Sequence, residues 1–121
     1  MTSFMKAINT IDLHSIEDLE AIFEAMEERY CDLEMQEPDY SYEYFYEKWE
    51  EKFNEFEYLK EEFEEILESF KEVLLDEKEE PLDNIDEEEF EDLVKYYKNW
   101  VRSVEYYQDA YGGLKRLKVL I

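Results

Sequence analysis

Apolar side chains recur every three or four residues through three stretches of this chain, and the breaks between the stretches fall at its few prolines and glycines. In the first, Ile16, Leu19, Ile22, Phe23, Met26, Tyr30 and Leu33 follow helical spacing. Ser15 with Asp18 three residues on offers a helix cap, and Pro38 closes the connection, so the pattern predicts a helix over about 15–35. In the second, Tyr42, Trp49, Phe56, Phe63 and Phe70 form a row repeating every seven residues, with Phe45, Leu59, Ile66 and Val73 alongside and Lys52 interrupting. Phe53, Leu67 and Leu74 widen that row into a core-facing stripe. The predicted helix, about 40–76, is roughly 50 Å long at 1.5 Å per residue and outreaches its neighbours. It therefore bends, overhangs or pairs with another copy. In the third, Asp86 and Glu89 make a capping box with Ile85 and Phe90 in staple positions. Phe90, Leu93, Tyr97, Trp100, Val104, Tyr107 and Tyr111 follow until Gly112 supplies a left-handed stop, which gives a helix over about 86–111. The expected fold is all-α: one domain over 1–121, a three-helix bundle with one long central helix.

Two stretches keep a second reading. Tyr40, Tyr42, Tyr44 and Tyr46 alternate with period two, which leaves 39–47 open to an extended strand. Residues 4–13 are open to a strand pairing with the tail or to a loose arm, and the basic, apolar tail 114–121 to a short strand, an arm or a last helical turn.

Composition decides whether such helices fold. With 40% charged residues the chain resembles a disordered one, but 45% hydrophobic and 17% aromatic residues can offset chain entropy, and 121 residues suffice for one core. Cys31 is the only cysteine, so an intrachain disulfide and a cysteine-based zinc site are both excluded. It lies beside the apolar row of the first helix and reads as a small packing residue. No apolar run approaches the ~18 residues of a membrane helix. The start Met1-Thr2-Ser3-Phe4 has neither a basic-then-apolar leader nor a myristoylation glycine. A cytoplasmic protein with no membrane partner is expected.

Charge changes the picture most. Residues 17–89 hold 31 Asp and Glu against 6 Lys and Arg, whereas residues 90–121 hold 4 against 6. A net −25 on one block works against compaction, which suggests that it serves to attract something basic. It also repels phosphates, so no direct binding of nucleic acid is expected. With the stripe of the second helix turned inward, its outward carboxylates are Glu43, Glu47, Glu50, Glu51, Glu57, Glu61, Glu64, Glu65, Glu68 and Glu72, interspersed with Tyr44 and Tyr58. That is one carboxylate per ~4.4 Å of helix, against one phosphate per ~3.4 Å along a DNA strand. The third helix offers the ordinary contrast: Glu91, Asp92, Glu105 and Asp109 are nearly cancelled by Lys95, Lys98 and Arg102. In the connector, Asp86 to Glu89 suit a helix N-terminus, but Asp76, Glu77, Glu79 and Glu80 follow a helix C-terminus, where negative charge is unfavourable. These four join the candidate partner-binding set.

No residues point to catalysis. His14 stands alone, no Glu-x-x-His pair offers di-iron ligands, and no segment has the ligand spacing and central glycine of a calcium loop. Phosphate-cradling glycine loops are absent as well. The chain reads as a non-enzyme without cofactor or metal.

Small size, extreme acidity, long helices with carboxylate ridges and interspersed tyrosines together resemble the acidic DNA-mimic inhibitors of phages and mobile elements, the anti-CRISPR and antirestriction proteins. That resemblance implies a ridge occupying the basic groove of a Cas or restriction nuclease in a bacterial host cell, blocking it by occupancy. Two alternatives stay open. The stretch from Ile8 to Phe23, with Ser-Ile-Glu-Asp-Leu opening a helix, resembles barstar-like immunity proteins, which implies an immunity protein or antitoxin covering a basic nuclease toxin. The long second helix alternatively implies a structural protein that self-associates, with a homodimer as the simplest form.

Overall fold

A computed structural model describes residues 8–39 and 41–111, with side chains through residue 105. The described residues are all-α: α1 spans Ile16–Met35, α2 Glu43–Leu74 and α3 Glu87–Tyr111, with residues 8–10 helical ahead of them. Among these residues the one β-type pairing is an isolated bridge between Leu75 and Pro81. The expected arm at 4–7 and the tail 114–121 lie outside the described residues, as do Tyr40, the Gly112 stop and the side chains of Tyr107 and Tyr111. Residues 8–10 are helical, so the strand reading of 4–13 does not hold there.

Each helix begins where its local chemistry allows. Ser15 accepts the amide of Asp18 at 3.2 Å and opens α1. Asp86 accepts from the amides of Glu88 and Glu89 at 3.0 and 3.2 Å, which satisfies two of the free donors at the start of α3. The second helix starts later than its pattern predicts, at Glu43. The Asp39 carboxylate takes both the amide and the hydroxyl of Ser41, and these bonds hold it below its ordinary value of 3.8. The resulting turn, closed by the Tyr42 amide on the Asp39 carbonyl, leaves α2 with no side-chain cap. The extended alternative over 39–47 thus resolves as a turn followed by helix.

The second helix also ends earlier than expected, at Leu74. Asp76 accepts from the amides of Lys78 and Glu80 at 2.8 and 3.0 Å, and Glu79 adopts φ 62°, the left-handed region that a residue other than glycine enters at a cost. The Asp76 carboxylate therefore serves the fold, because it closes the turn that reverses the chain towards α3.

The middle helix packs against both others. Trp49 donates its indole N–H to the Leu33 carbonyl at 2.7 Å and Tyr30 lies on Phe53, so α2 runs antiparallel to α1. Phe63 meets Trp100 at 4.7 Å and Phe70 meets the edge of Phe90 at 5.8 Å, so α3 is antiparallel to α2 as well. The core joins Leu19, Ile22 and Met26 of α1 to Phe56, Phe63, Ile66 and Phe70 of α2 and Trp100 and Val104 of α3. Ile8 closes its end, where its carbonyl accepts the Tyr97 hydroxyl. Along α2 the stripe is buried from Phe56 onward except at half-buried Val73, and half-buried at Trp49 and Phe53, but Tyr42 and Phe45 are exposed. The long helix overhangs.

Burial raises the pKa of Tyr97 above its ordinary 10.0. A raised acid keeps its proton in the folded state while the unfolded chain loses it, so stability falls as pH rises. The contribution of Tyr97 is intact below pH 10.0 and declines by about 1.4 kcal/mol per unit above it. Urea midpoints between pH 9 and 11.5 should fall faster for the native chain than for Tyr97→Phe. Parallel curves would exclude Tyr97 as the cause.

Candidate functional site

The acidic face comes from how the helices dispose of opposite charges. Of the 31 carboxylates in residues 17–89, 28 are exposed, and Glu55, Glu57 and Glu62 are half-buried. Of the six basic residues in the same block, Arg29 is buried, Lys52, Lys60 and Lys71 are half-buried, and only Lys48 and Lys78 are exposed. Lys60 lies in the seam between α1 and α2, its ammonium 5.0 Å from the Phe23 ring centre and 5.3 Å from that of Tyr30. Lys71 approaches Glu68 at 3.7 Å. Long basic stems cover apolar surface readily, which draws these cations towards the core. The solvent is left with a field of nearly one sign.

Fifteen of the sixteen expected partner-binding residues are exposed: Glu43, Glu47, Glu50, Glu51, Glu61, Glu64, Glu65, Glu68, Glu72, Tyr44, Tyr58, Asp76, Glu77, Glu79 and Glu80. Glu57 is the exception. It is half-buried and accepts the Tyr30 hydroxyl at 2.9 Å, which ties α2 to α1. That bond, followed by burial and the charges of Glu57, Glu34 and Glu61, raises the pKa of Tyr30. Asp76, though exposed, is held by its turn.

The carboxylates of α2 act on both neighbouring helices. The charge of Glu61 adds to the effects that raise the pKa of Tyr30 on α1, while half-buried Glu62 and exposed Glu65, with Tyr58, add to the effect of burial in raising the pKa of Tyr96 on α3. Between α2 and α3, Asn54, Glu55, Tyr58, Leu59 and Ser103 line a groove of about 350 Å³. The first helix widens the field further: Glu17, Asp18, Glu20, Glu24, Glu27, Glu28, Asp32 and Glu34 are all exposed, and its one basic residue, Arg29, is buried. The sequence signal for α1 was present as eight acids against one base. It lacked only the knowledge that the base turns inward.

At the other end of α1 an open cleft of about 900 Å³ lies between its N-terminus and the connector, lined by His14, Glu17, Glu20, Lys71, Glu79 and Asp83 among others. Its histidine stacks on Phe90 at 4.3 Å, a packing role. Cys31 is exposed and does not pack into the core as expected. Among the described residues no group of three or more His, Cys, Asp or Glu is placed to hold a metal ion, and no helix is long and apolar enough to cross a membrane.

No protein-family model matches the chain, no curated protein matches it, and no solved structure matches it.

Proposed function

We propose that the chain is a non-catalytic inhibitor that mimics the charge of a nucleic acid and occupies the basic DNA- or RNA-binding site of a host defence nuclease of the Cas or restriction type. The observation that carries this reading is the segregation of charge: 28 exposed carboxylates against two exposed cations in residues 17–89. An ordinary solvated surface mixes signs, and one that does not is destabilised by its own repulsion, so keeping such a field points to a use for it. In this reading the domain is a three-helix bundle built on α2 as central helix, acting in the cytoplasm of a bacterial cell. An immunity protein or antitoxin covering a basic nuclease toxin would use the same face in the same way.

The test immobilises the full chain, exposes it to bacterial lysate at low salt, and washes with duplex DNA or RNA at constant ionic strength. The expected result is capture of a nucleic-acid-binding protein that the competing nucleic acid releases, with no retention of labelled DNA by the purified chain. Captured proteins that nucleic acid does not displace, or salt-sensitive binding of DNA by the chain itself, would overturn it.

A further inference from the structure

The first turns of α2 carry apolar surface that the described residues leave uncovered. Tyr42 and Phe45 belong to the stripe that is buried further along the helix, yet they are 62% and 62% exposed, with Tyr44 at 66% and Met35 at 85%. Tyr44 and Phe45 meet edge to face at 5.5 Å, so their rings form one surface. Met35 ends α1 two residues beyond Leu33, whose carbonyl holds the Trp49 indole further along α2. Aromatic residues this exposed, two of them in ring contact, mark an interaction site.

Charge decides between occupants. Residues 37–51 hold Glu37, Asp39, Glu43, Glu47, Glu50 and Glu51 against Lys48 alone. A second copy docking here would bring two such sets together. A cationic partner would not meet that repulsion, and the half-charge of the α2 N-terminus, which opposes a cation, is outweighed by the carboxylates around it. The fold itself shows what the rings accept: the ammonium of Lys48 lies 5.8 Å from the centre of the Tyr44 ring. Planar guanidinium groups stack on aromatic faces and take carboxylates in a fork at the same time, which an ammonium cannot do.

We propose that the overhang formed by Tyr42, Tyr44 and Phe45, rimmed by Glu43, Glu47 and Glu50, is the anchor of the interface and takes arginine side chains of a basic protein. This deepens the proposed function and rests on it. The exposed carboxylates further along α2 steer the partner by long-range attraction, and the aromatic end holds it by desolvated contact.

The test titrates the full chain with two synthetic peptides of equal length and charge, one built on arginine and one on lysine, at two salt concentrations. The arginine peptide should bind more tightly, by roughly three- to fivefold per stacked ring. The combined Tyr42→Ala, Tyr44→Ala, Phe45→Ala variant should lose that preference while keeping the weaker lysine-like binding, and its exposed sites leave the fold intact. Lys48→Gln, which frees the Tyr44 face, should raise the preference. Glu61→Gln, Glu64→Gln, Glu65→Gln and Glu68→Gln together should weaken both peptides equally. Equal affinities for the two peptides would overturn the anchor while leaving the acidic reading intact, whereas no salt-sensitive binding of either would overturn both. Self-association in sedimentation that the aromatic variant abolishes would also overturn the anchor, by assigning the overhang to a second copy.

Discussion

Trp100→Ala should cost about 3–5 kcal/mol, a large part of the 5–15 kcal/mol typical of a domain. Trp100 is fully buried at the centre of the α2–α3 contact, with Phe63 at 4.7 Å and Tyr97 at 5.8 Å. Its indole N–H donates to the Leu59 carbonyl at 3.0 Å, so the residue fixes register as well as filling space. Truncation removes the ring, opens a cavity between aromatic neighbours that cannot collapse into it, and deletes that bond. Trp100→Phe retains most of the ring contact and should cost less, about 1–3 kcal/mol. Urea unfolding followed by far-ultraviolet circular dichroism measures both. A loss below about 1 kcal/mol for the alanine variant would mean that the α2–α3 contact does not depend on this side chain.

The positions that matter for this core were readable because helical burial leaves a periodic trace. Phe63, Phe70, Leu19, Trp100 and Val104 all lie on rows spaced by three, four or seven. The same trace misled at Tyr42 and Phe45. Periodicity records which face of a helix is apolar but not how far the neighbouring helix extends, and α1 stops at Met35. Helix limits were set by side-chain competition for backbone amides: Asp39 and Asp76 each turn a carboxylate onto nearby donors, which shortens α2 at both ends. The acidic field was legible as a count, but its purity was not. Whether Arg29, Lys60 and Lys71 neutralise their neighbours or fold inward depends on tertiary packing, and the inward placement makes the surface more acidic than composition implied. Glu57 went the other way, from the outward face into a bond with Tyr30, because a hydroxyl on the facing helix lay within reach.

Neutralising Glu61, Glu64, Glu65 and Glu68 together with glutamine should raise stability and weaken partner binding, two effects of opposite sign from one change. Glu57 is left intact because its bond to Tyr30 is structural. Along α2 these four residues make seven like-charge pairs three or four apart with one another and with Glu57, Glu62 and Glu72, against two attractive pairs with Lys60 and Lys71. At about 0.2–0.5 kcal/mol per pair, the surplus of repulsion gives a net gain of about 1–2 kcal/mol at low ionic strength. Glutamine keeps size and helix propensity, so the gain is electrostatic and should largely vanish at 1 M salt, where the Debye length is about 3 Å. For the same reason the melting temperature of the native chain should rise with salt. Association with a basic partner should slow by about 10–100-fold at low salt, with dissociation changed far less, since exposed charges act by steering. The matching change on α3, at Glu91, Asp92 and Glu105, should do much less, because Lys95, Lys98 and Arg102 are exposed beside them and already cancel their field. Differential scanning calorimetry across a salt series and stopped-flow association with the captured partner read the two effects separately. Equal slowing from both sets, or none from the first, would show the carboxylates of α2 to be an ordinary solvated surface.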